Sequence, residues 1–392
     1  MSRRPTAPLA DVAIVGVHNT EQARHLPGKD SMSVAFEAAH GALSDAGLTP
    51  FDVDGVAGPL SSDFIYQTGI APAWYTHNAV GIPTLLESVF AIQSGMATVV
   101  LVLSGTAGRY TAREATAPWT RPNNEMVEPF GMFTATQFAL VAQRYLYEYG
   151  VPAEALATVA ATIRNNGHVN PDALYYGKGP YTPQDILASR LIAEPYHLLD
   201  CASTSEGGAA LILARADVAQ NASPRPVYLL AGGAEQFGPS YRYPPRLDLH
   251  GRGDHDLTLQ FLGRRIFERA LGQAGLVHAD VDVLELYDPF SFEIIRQLEA
   301  FGFCGVGEGG DFVLDGTIGP GGRFPVTSDG GTMSFGHPGE LTQKLQRVIR
   351  GVQQLRGTCR SNQKPGAEIA LCTGGGSGPL FMDLLLLSAA PP

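Results

Sequence analysis

Three short segments in the second half of the chain carry residue types suited to acid–base or electrostatic chemistry. Gly336-His337-Pro338-Gly339 follows Gly330-Gly331-Thr332-Met333-Ser334-Phe335. Cys372-Thr373-Gly374-Gly375-Gly376-Ser377-Gly378 ends one apolar strand, and Tyr287-Asp288-Pro289-Phe290 follows another, Leu284-Glu285-Leu286. Glycines let backbone approach a ligand closely and aim N–H groups at it, which a developing oxyanion requires. A histidine supplies a donor or a proton, a thiol a nucleophile or an acid, and a phenol a base once a neighbour eases its ionisation. Each residue also has a plainer reading. A histidine before proline serves as a structural donor, a cysteine in an apolar strand fills core, and a tyrosine at a strand end stays hydrogen-bonded and inert. The glycine run after Cys372 tips the balance towards a site.

The elements that hold these residues are legible in an internal repeat. Ala42-Leu43-Ser44-Asp45-Ala46-Gly47-Leu48, then Asp52-Val53-Asp54, recurs as Ala270-Leu271-Gly272-Gln273-Ala274-Gly275-Leu276, then Asp280-Val281-Asp282. Met32, Phe36, Ala39, Leu43 and Ala46 share one face of a helix, and Leu259, Leu262, Ile266, Ala270 and Ala274 do the same in the second copy. Gly47 and Gly275 end these helices in a left-handed conformation that costs glycine nothing. Apolar strands precede each helix (Val12 to Val15, Val227 to Leu230) and follow it (Val53 to Val56, Val283 to Leu286). A second correspondence pairs helix Thr84 to Ser94 and strand Thr98 to Leu103 with helix Leu341 to Leu355 and strand Glu368 to Cys372. Near-continuous apolar strands such as Val99-Val100-Leu101-Val102-Leu103 require a sheet covered on both faces. The expectation is two similar α/β halves, residues 1–225 and 226–392.

Residues 106–200 break the pattern. Aromatic and proline-rich loops (Trp119, Pro129, Phe130, Phe133, Tyr175, Tyr176, Tyr181) surround helices near Thr134 to Tyr149 and Glu154 to Asn165. So long an excursion reads as a lid over a substrate pocket or as a surface for subunit contacts.

Composition excludes several classes. The chain has 392 residues, 44% of them hydrophobic, and a formal net charge of −11, so it can bury a large core but lacks the basic face that nucleic acid requires. Its four cysteines, Cys201, Cys304, Cys359 and Cys372, show no CxxC pairing, which suggests neither a metal site nor a disulfide framework and fits a reduced cytoplasm. The longest apolar run, near Met96 to Leu103, falls far short of the ~20 residues that span a bilayer. Arg3 and Arg4 precede no signal-like stretch, and no export is expected.

The late loops together resemble the thiolase superfamily, whose members carry Gly-His-Pro and C-x-G, and within it the sterol-carrier, lipid-transfer branch. Leu198-Leu199-Asp200-Cys201 through Glu206-Gly207-Gly208-Ala209-Ala210-Leu211 is similar to the segment that closes that family's insert. The resemblance covers nearly the whole chain and implies a layered αβαβα fold, an acyl-CoA thioester as substrate with no separate cofactor, and a homodimer. Two departures stand out. A thiolase acylates a cysteine at the start of the helix matching Thr84 to Ser94, where the helix dipole favours a thiolate. That slot falls at Asn78 here, and the first cysteine is Cys201. Tyr287 stands where the branch usually has histidine.

A thiolase-like chain with Tyr-Asp-x-Phe and no acylating cysteine resembles the steroid side-chain aldolases. The resemblance implies retro-aldol cleavage of a β-hydroxyacyl-CoA, with Tyr287 as base, His337 with a backbone N–H stabilising the enolate, and Cys372 as acid. Gly336, Gly374, Gly375 and Asn78 would then contact substrate, although an asparagine in that position also suits helix capping. It further implies a complex with a small zinc-ribbon and OB-fold protein. Unlike those aldolases, which carry tyrosine in the Gly-His-Pro position, this chain keeps His337. An acyl-transferring thiolase and a non-catalytic lipid-binding subunit are the competing readings.

Overall fold

A computed structural model describes residues 7–108, 134–219, 225–236, 262–375 and 381–391. The first half runs β1 (Val12–Asn19), α1 (Ser31–Ala46), β2 (Gly55–Ala57), α2 (Ser61–Thr68), β3 (Trp74–Thr76), α3 (Ile82–Gln93) and β4 (Val99–Thr106). The insert contributes α4 (Thr134–Tyr149), α5 (Ala153–His168), α6 (Pro183–Ala188) and a ribbon of β5 (Leu191–Ala193) with β6 (Tyr196–His197). β7 (Gly207–Arg215) and α7 (Ala216–Ala219) close this half. The second half comprises β8 (Val227–Gln236), α8 (Arg264–Ala274), β9 (Val283–Glu285), α9 (Ser291–Ala300), α10 (Gly309–Leu314), α11 (Glu340–Arg356), β10 (Ile369–Gly375) and β11 (Phe381–Ser388).

Both copies of the repeat end as their glycines require, with Gly47 at φ 69° and Gly275 at φ 70°. The aspartates after them have matching tasks. Asp52 accepts the Thr49 amide and Asp280 the Val277 amide, each at 2.8 Å, closing a short 3-10 turn. Asp54 accepts the amides of Thr98 and Val99, and Asp282 those of Glu368 and Ile369, so each ties β2 or β9 to the start of the neighbouring strand. The repeated tripeptide is thus a backbone clamp used twice.

Strand order β3-β2-β4-β7-β1 in the first half is matched by β8-β11-β10-β9 in the second, with Val326 bridging Leu284 where a counterpart of β3 would lie. The half-sheets also meet edge to edge, through the pairs Ala13–Tyr228 and Ile14–Val227. Helices α3 and α11 contact strands of both halves, and their apolar faces (Leu85 and Val89; Leu345, Val348 and Val352) share one core. Ala35, Ala39 and Leu43 of α1 cover the outer face of the first half-sheet, while Ile266 and Phe267 of α8 and Phe292 of α9 cover that of the second. Helix, sheet, helix, sheet and helix layers result, as expected.

Some boundaries move. α3 begins at Ile82, two residues before the expected start, because Pro83 suits a helix's first turn and Gly81 (φ 61°) turns the chain into it. α8 begins at Arg264, and Leu259 lies outside the described residues, as do Trp119, Pro129, Phe130 and Phe133 of the insert and Gly376 to Gly378 of the glycine run. All four cysteines are free thiols. No helix among the described residues is long and apolar enough to cross a membrane.

Candidate active site

Helix α11 positions the site because one of its faces is apolar while the other is polar and equally buried. Gln343, Lys344, Gln346, Arg347, Arg350 and Gln354 are all buried, and buried polar groups must find partners. Arg347 makes a bidentate pair with Asp329, 2.7 Å at both contacts, and lies 3.6 Å from Glu285 at the end of β9. Arg350 and Gln354 each donate to Ser328, both at 2.8 Å, and the Ser328 amide donates to Glu285 at 3.1 Å. Burial, then Asp329, pushes Glu285 up to about 6. Burial alone would raise Asp329 as well, but the Arg347 guanidinium holds it below the usual carboxylate range. The network locks α11 onto β9 and the Ser328–Gly331 turn.

Tyr287 emerges just beyond β9. Its amide donates to Thr373 Oγ1 at 2.9 Å and its carbonyl accepts from Gln297 at 2.8 Å, so the backbone is fixed by β10 and α9. Its ring lies against Gly375, where an added Cβ would sit 2.5 Å from Cδ1. Its hydroxyl accepts from Gln343 Nε2 at 3.4 Å. The phenol is buried and directed at the first turn of α11.

Asp288 ties the tyrosine to the histidine loop. Its carboxylate accepts the amides of Thr332 (2.8 Å) and Met333 (3.1 Å), and its carbonyl accepts from Thr332 Oγ1 at 2.6 Å. These residues belong to the π-turn Gly331–Phe335, which delivers Gly336 and His337. Burial pushes Asp288 up to about 7 against the pull of Arg347. His337 is half-buried; its amide donates to Ser205 Oγ at 2.8 Å, and its carbonyl accepts the Ser205 amide at 3.2 Å. Gly336 has no room for a side chain, since a Cβ would meet Gln22 Oε1 at 2.5 Å and Ser205 Oγ at 3.1 Å.

The insert buttresses the same turn. Arg164 of α5 donates to the carbonyls of Leu199 (2.7 Å), Met333 (3.0 Å) and Cys201 (2.9 Å). Asn170 donates to Asp329 O at 3.0 Å, and the amides of Leu174 and Tyr175 donate to Phe335 and Ser334. The segment that closes the insert runs alongside, with Ala202 N donating to Pro289 O and Ser203 N to Thr332 O. The described part of the insert is a support for the loops that carry His337.

Cys372, Asn78 and Gly374 each have packing or hydrogen-bond partners of their own. Cys372 is fully buried, pairs with Glu285 and Leu385 in the sheet, and packs its sulfur against Gly351, where a Cβ would lie 2.5 Å away. Burial pushes its thiol well above the ordinary range. Asn78 donates to Glu87 Oε1 at 2.7 Å and accepts the Val80 amide at 3.1 Å; it does not cap α3. That task falls to Asp383 of β11, whose Oδ2 accepts the Ile82 amide at 3.1 Å. Gly374 pairs with Asp383, and a Cβ on it would collide with Asp383 Oδ1. Burial pushes Asp383 up to about 6 although Lys344 opposes this. The sequence signal for Asp383 was a lone acid in the strand Phe381-Met382-Asp383-Leu384-Leu385-Leu386-Leu387.

Layers, repeat and late loops together define a thiolase-fold chain that, among the described residues, has no cysteine at the amino end of α3. The family described as "Thiolase C-terminal domain-like" matches residues 252–383. A "17-hydroxy-3-oxo-4-pregnene-20-carboxyl-CoA lyase" from Mycobacterium tuberculosis is 32% identical, covering 94% of this chain and 97% of that protein. An "Acetyl-CoA acetyltransferase" from Methanothermobacter thermautotrophicus is 31% identical over 94% of this chain and 97% of its own. Among solved structures, one titled "Ltp2-ChsH2(DUF35) aldolase" superposes with a TM-score of 0.82 at 28% identity, covering 97% of this chain and 98% of that one. The chain belongs to the thiolase superfamily, in the sterol-carrier, lipid-transfer branch that includes the steroid side-chain aldolases.

Proposed function

We propose that this chain is a carbon–carbon lyase that cleaves a β-hydroxyacyl-CoA with a steroid side chain, by a retro-aldol step, into a ketone and a shorter acyl-CoA such as propionyl-CoA. The observation that carries the reading is the pairing of a buried tyrosine, fixed by three elements and aimed at the start of α11, with an α3 amino end that holds a carboxyl and no thiol. Relatives of 32% and 31% identity include a lyase and an acyl transferase, so percentage identity alone does not separate the two. The nucleophile position does.

Tyr287 takes the β-hydroxyl proton as the Cα–Cβ bond breaks. The electron pair moves onto the thioester as an enolate, which His337 and the backbone N–H groups of the glycine-lined loops stabilise. No step forms a bond to the protein. Asp288 acts indirectly, by holding the π-turn on which His337 depends. By analogy with the solved Ltp2-ChsH2(DUF35) aldolase, the chain works in complex with a partner protein of that kind; as a thiolase-fold chain, it also pairs with a second copy of itself. The edge strand β3, with Tyr75 exposed, supplies a surface for pairing two copies. The test is incubation of the full chain, alone and with such a partner, with a steroid β-hydroxyacyl-CoA. Release of ketone and acyl-CoA in equal amounts is expected; acyl transfer to free CoA without ketone would favour the thiolase reading.

A further inference from the structure

A base that takes the β-hydroxyl proton must be ionised when substrate arrives, and a phenol in water ionises only near pH ~10. We infer that Gln343, in the first turn of α11, is a positioning residue that holds the Tyr287 oxygen and favours its phenolate form. The inference rests on the retro-aldol reading and adds to it the residue that readies the base.

Gln343 Nε2 donates to the Tyr287 hydroxyl oxygen at 3.4 Å, and both side chains are buried. Such a bond strengthens when the phenol becomes an anion, because hydrogen bonds to charged groups are stronger than those between neutral ones. The donor therefore favours ionisation, while burial alone would oppose it. Nothing draws the amide elsewhere: Gln343 Oε1 makes no hydrogen bond among the described residues. The helix beneath it is fixed along its length. Thr342, the residue before, shares a hydrogen bond with Ser104 of β4 at 2.8 Å; Arg347, one turn on, pairs with Asp329; Arg350, a turn further, donates to Ser328. From the other side, Thr373 and Gln297 hold the Tyr287 backbone and Gly375 abuts its ring.

The charged groups on the elements packed around Tyr287 have partners of their own. On its own segment, Glu285 faces Arg347 and Asp288 accepts the Thr332 and Met333 amides. On α9, Glu293 pairs with Arg296, and on α11, Lys344 lies beside Asp383. A neutral amide eases ionisation moderately and leaves the phenolate basic enough to take a proton from an alcohol, whereas a directly paired guanidinium would weaken it as a base.

The experiment is the pH dependence of ketone release from a steroid β-hydroxyacyl-CoA, measured on the full chain for wild type, Gln343→Leu, Gln346→Leu and Tyr287→Phe. Gln346 is the matched control, fully buried one turn along, with its Nε2 donating to Gln22 Oε1 at 3.0 Å. Gln343→Leu should move the midpoint of the rise in kcat/KM up by about 0.7–1 pH unit and so lower the rate at neutral pH about five- to tenfold. Gln346→Leu should keep the wild-type midpoint, and Tyr287→Phe should lose cleavage. Should Gln343→Leu fail to fold, Gln343→Met, which keeps the length of the side chain without its donor, carries the same expectation. An unmoved midpoint in a folded Gln343 variant, or an equal shift in both glutamine variants, overturns the assignment of Gln343 alone. A wild type that releases no ketone, or Tyr287→Phe releasing it at the wild-type rate, overturns the retro-aldol reading and the inference with it.

Discussion

The amino ends of α3 and α11 occupy equivalent places in the two halves, yet only one is equipped in the way its fold family leads one to expect. The α11 end receives the Gly336-His337-Pro338-Gly339 loop and presents Gln343 to Tyr287. At the α3 end, the side chain that meets the first amide comes from another strand, β11, and is a carboxyl. An anion already seated on a helix amino end competes with the thiolate or oxyanion that the dipole would otherwise favour. Duplication gave both halves a central helix, and the retro-aldol reading puts its base and its enolate donor around one of them.

The largest expected effect lies at the α11 end. Tyr287→Phe should lower kcat/KM for ketone release by about 10³-fold, or about 4 kcal/mol, with an unchanged melting temperature. Asn78→Ala, at the α3 end, should leave the rate within a few fold, since among the described residues its side chain bonds Glu87 and Val80. A comparable loss from both would break the contrast between the ends. Next comes Arg347→Met, which strands Asp329 and Glu285 in the core and should destabilise the fold by about 3 kcal/mol in denaturant unfolding.

Asp383 yields a pH-dependent effect. Burial pushes its folded pKa up to about 6, so the folded chain holds this proton more tightly than the unfolded one. Stability from this group is fully present below the unfolded pKa and is lost as pH rises towards the folded value. Relative to wild type, Asp383→Asn should therefore gain stability between about pH 4 and pH 6, by at most about 1.4 kcal/mol per pH unit, with no further change above. Smallest and most symmetrical are the repeat clamps. Asp54→Ala and Asp282→Ala each remove the acceptor of two strand amides and should cost about 1–2 kcal/mol apiece. Unequal costs would mean that the halves differ in more than their chemistry.

What could be read from the chain follows the range of the interactions. Gly47 and Gly275 act on their own helices, and the apolar runs of β4 and β10 need only a covered sheet, so helices, strands and duplication were legible locally. The edge-to-edge join of β1 and β8 was not, because two residue pairs leave no pattern. Tyr287, His337 and the glycines around them were singled out through their motifs. Asp383 was missed because its partner Ile82 lies about three hundred residues away in sequence. Arg164 and Asn170, which brace the π-turn from the insert, looked like ordinary polar positions on a helix. Cys372 was legible as a motif residue, but the side chain's direction depends on Gly351 opposite it.

The central claim is cleavage with no acyl group ever carried by the protein. Intact-protein mass spectrometry during turnover of a steroid β-hydroxyacyl-CoA tests it directly. An unmodified mass while ketone accumulates is the predicted result, and an acyl adduct that forms and decays at the rate of turnover would contradict it.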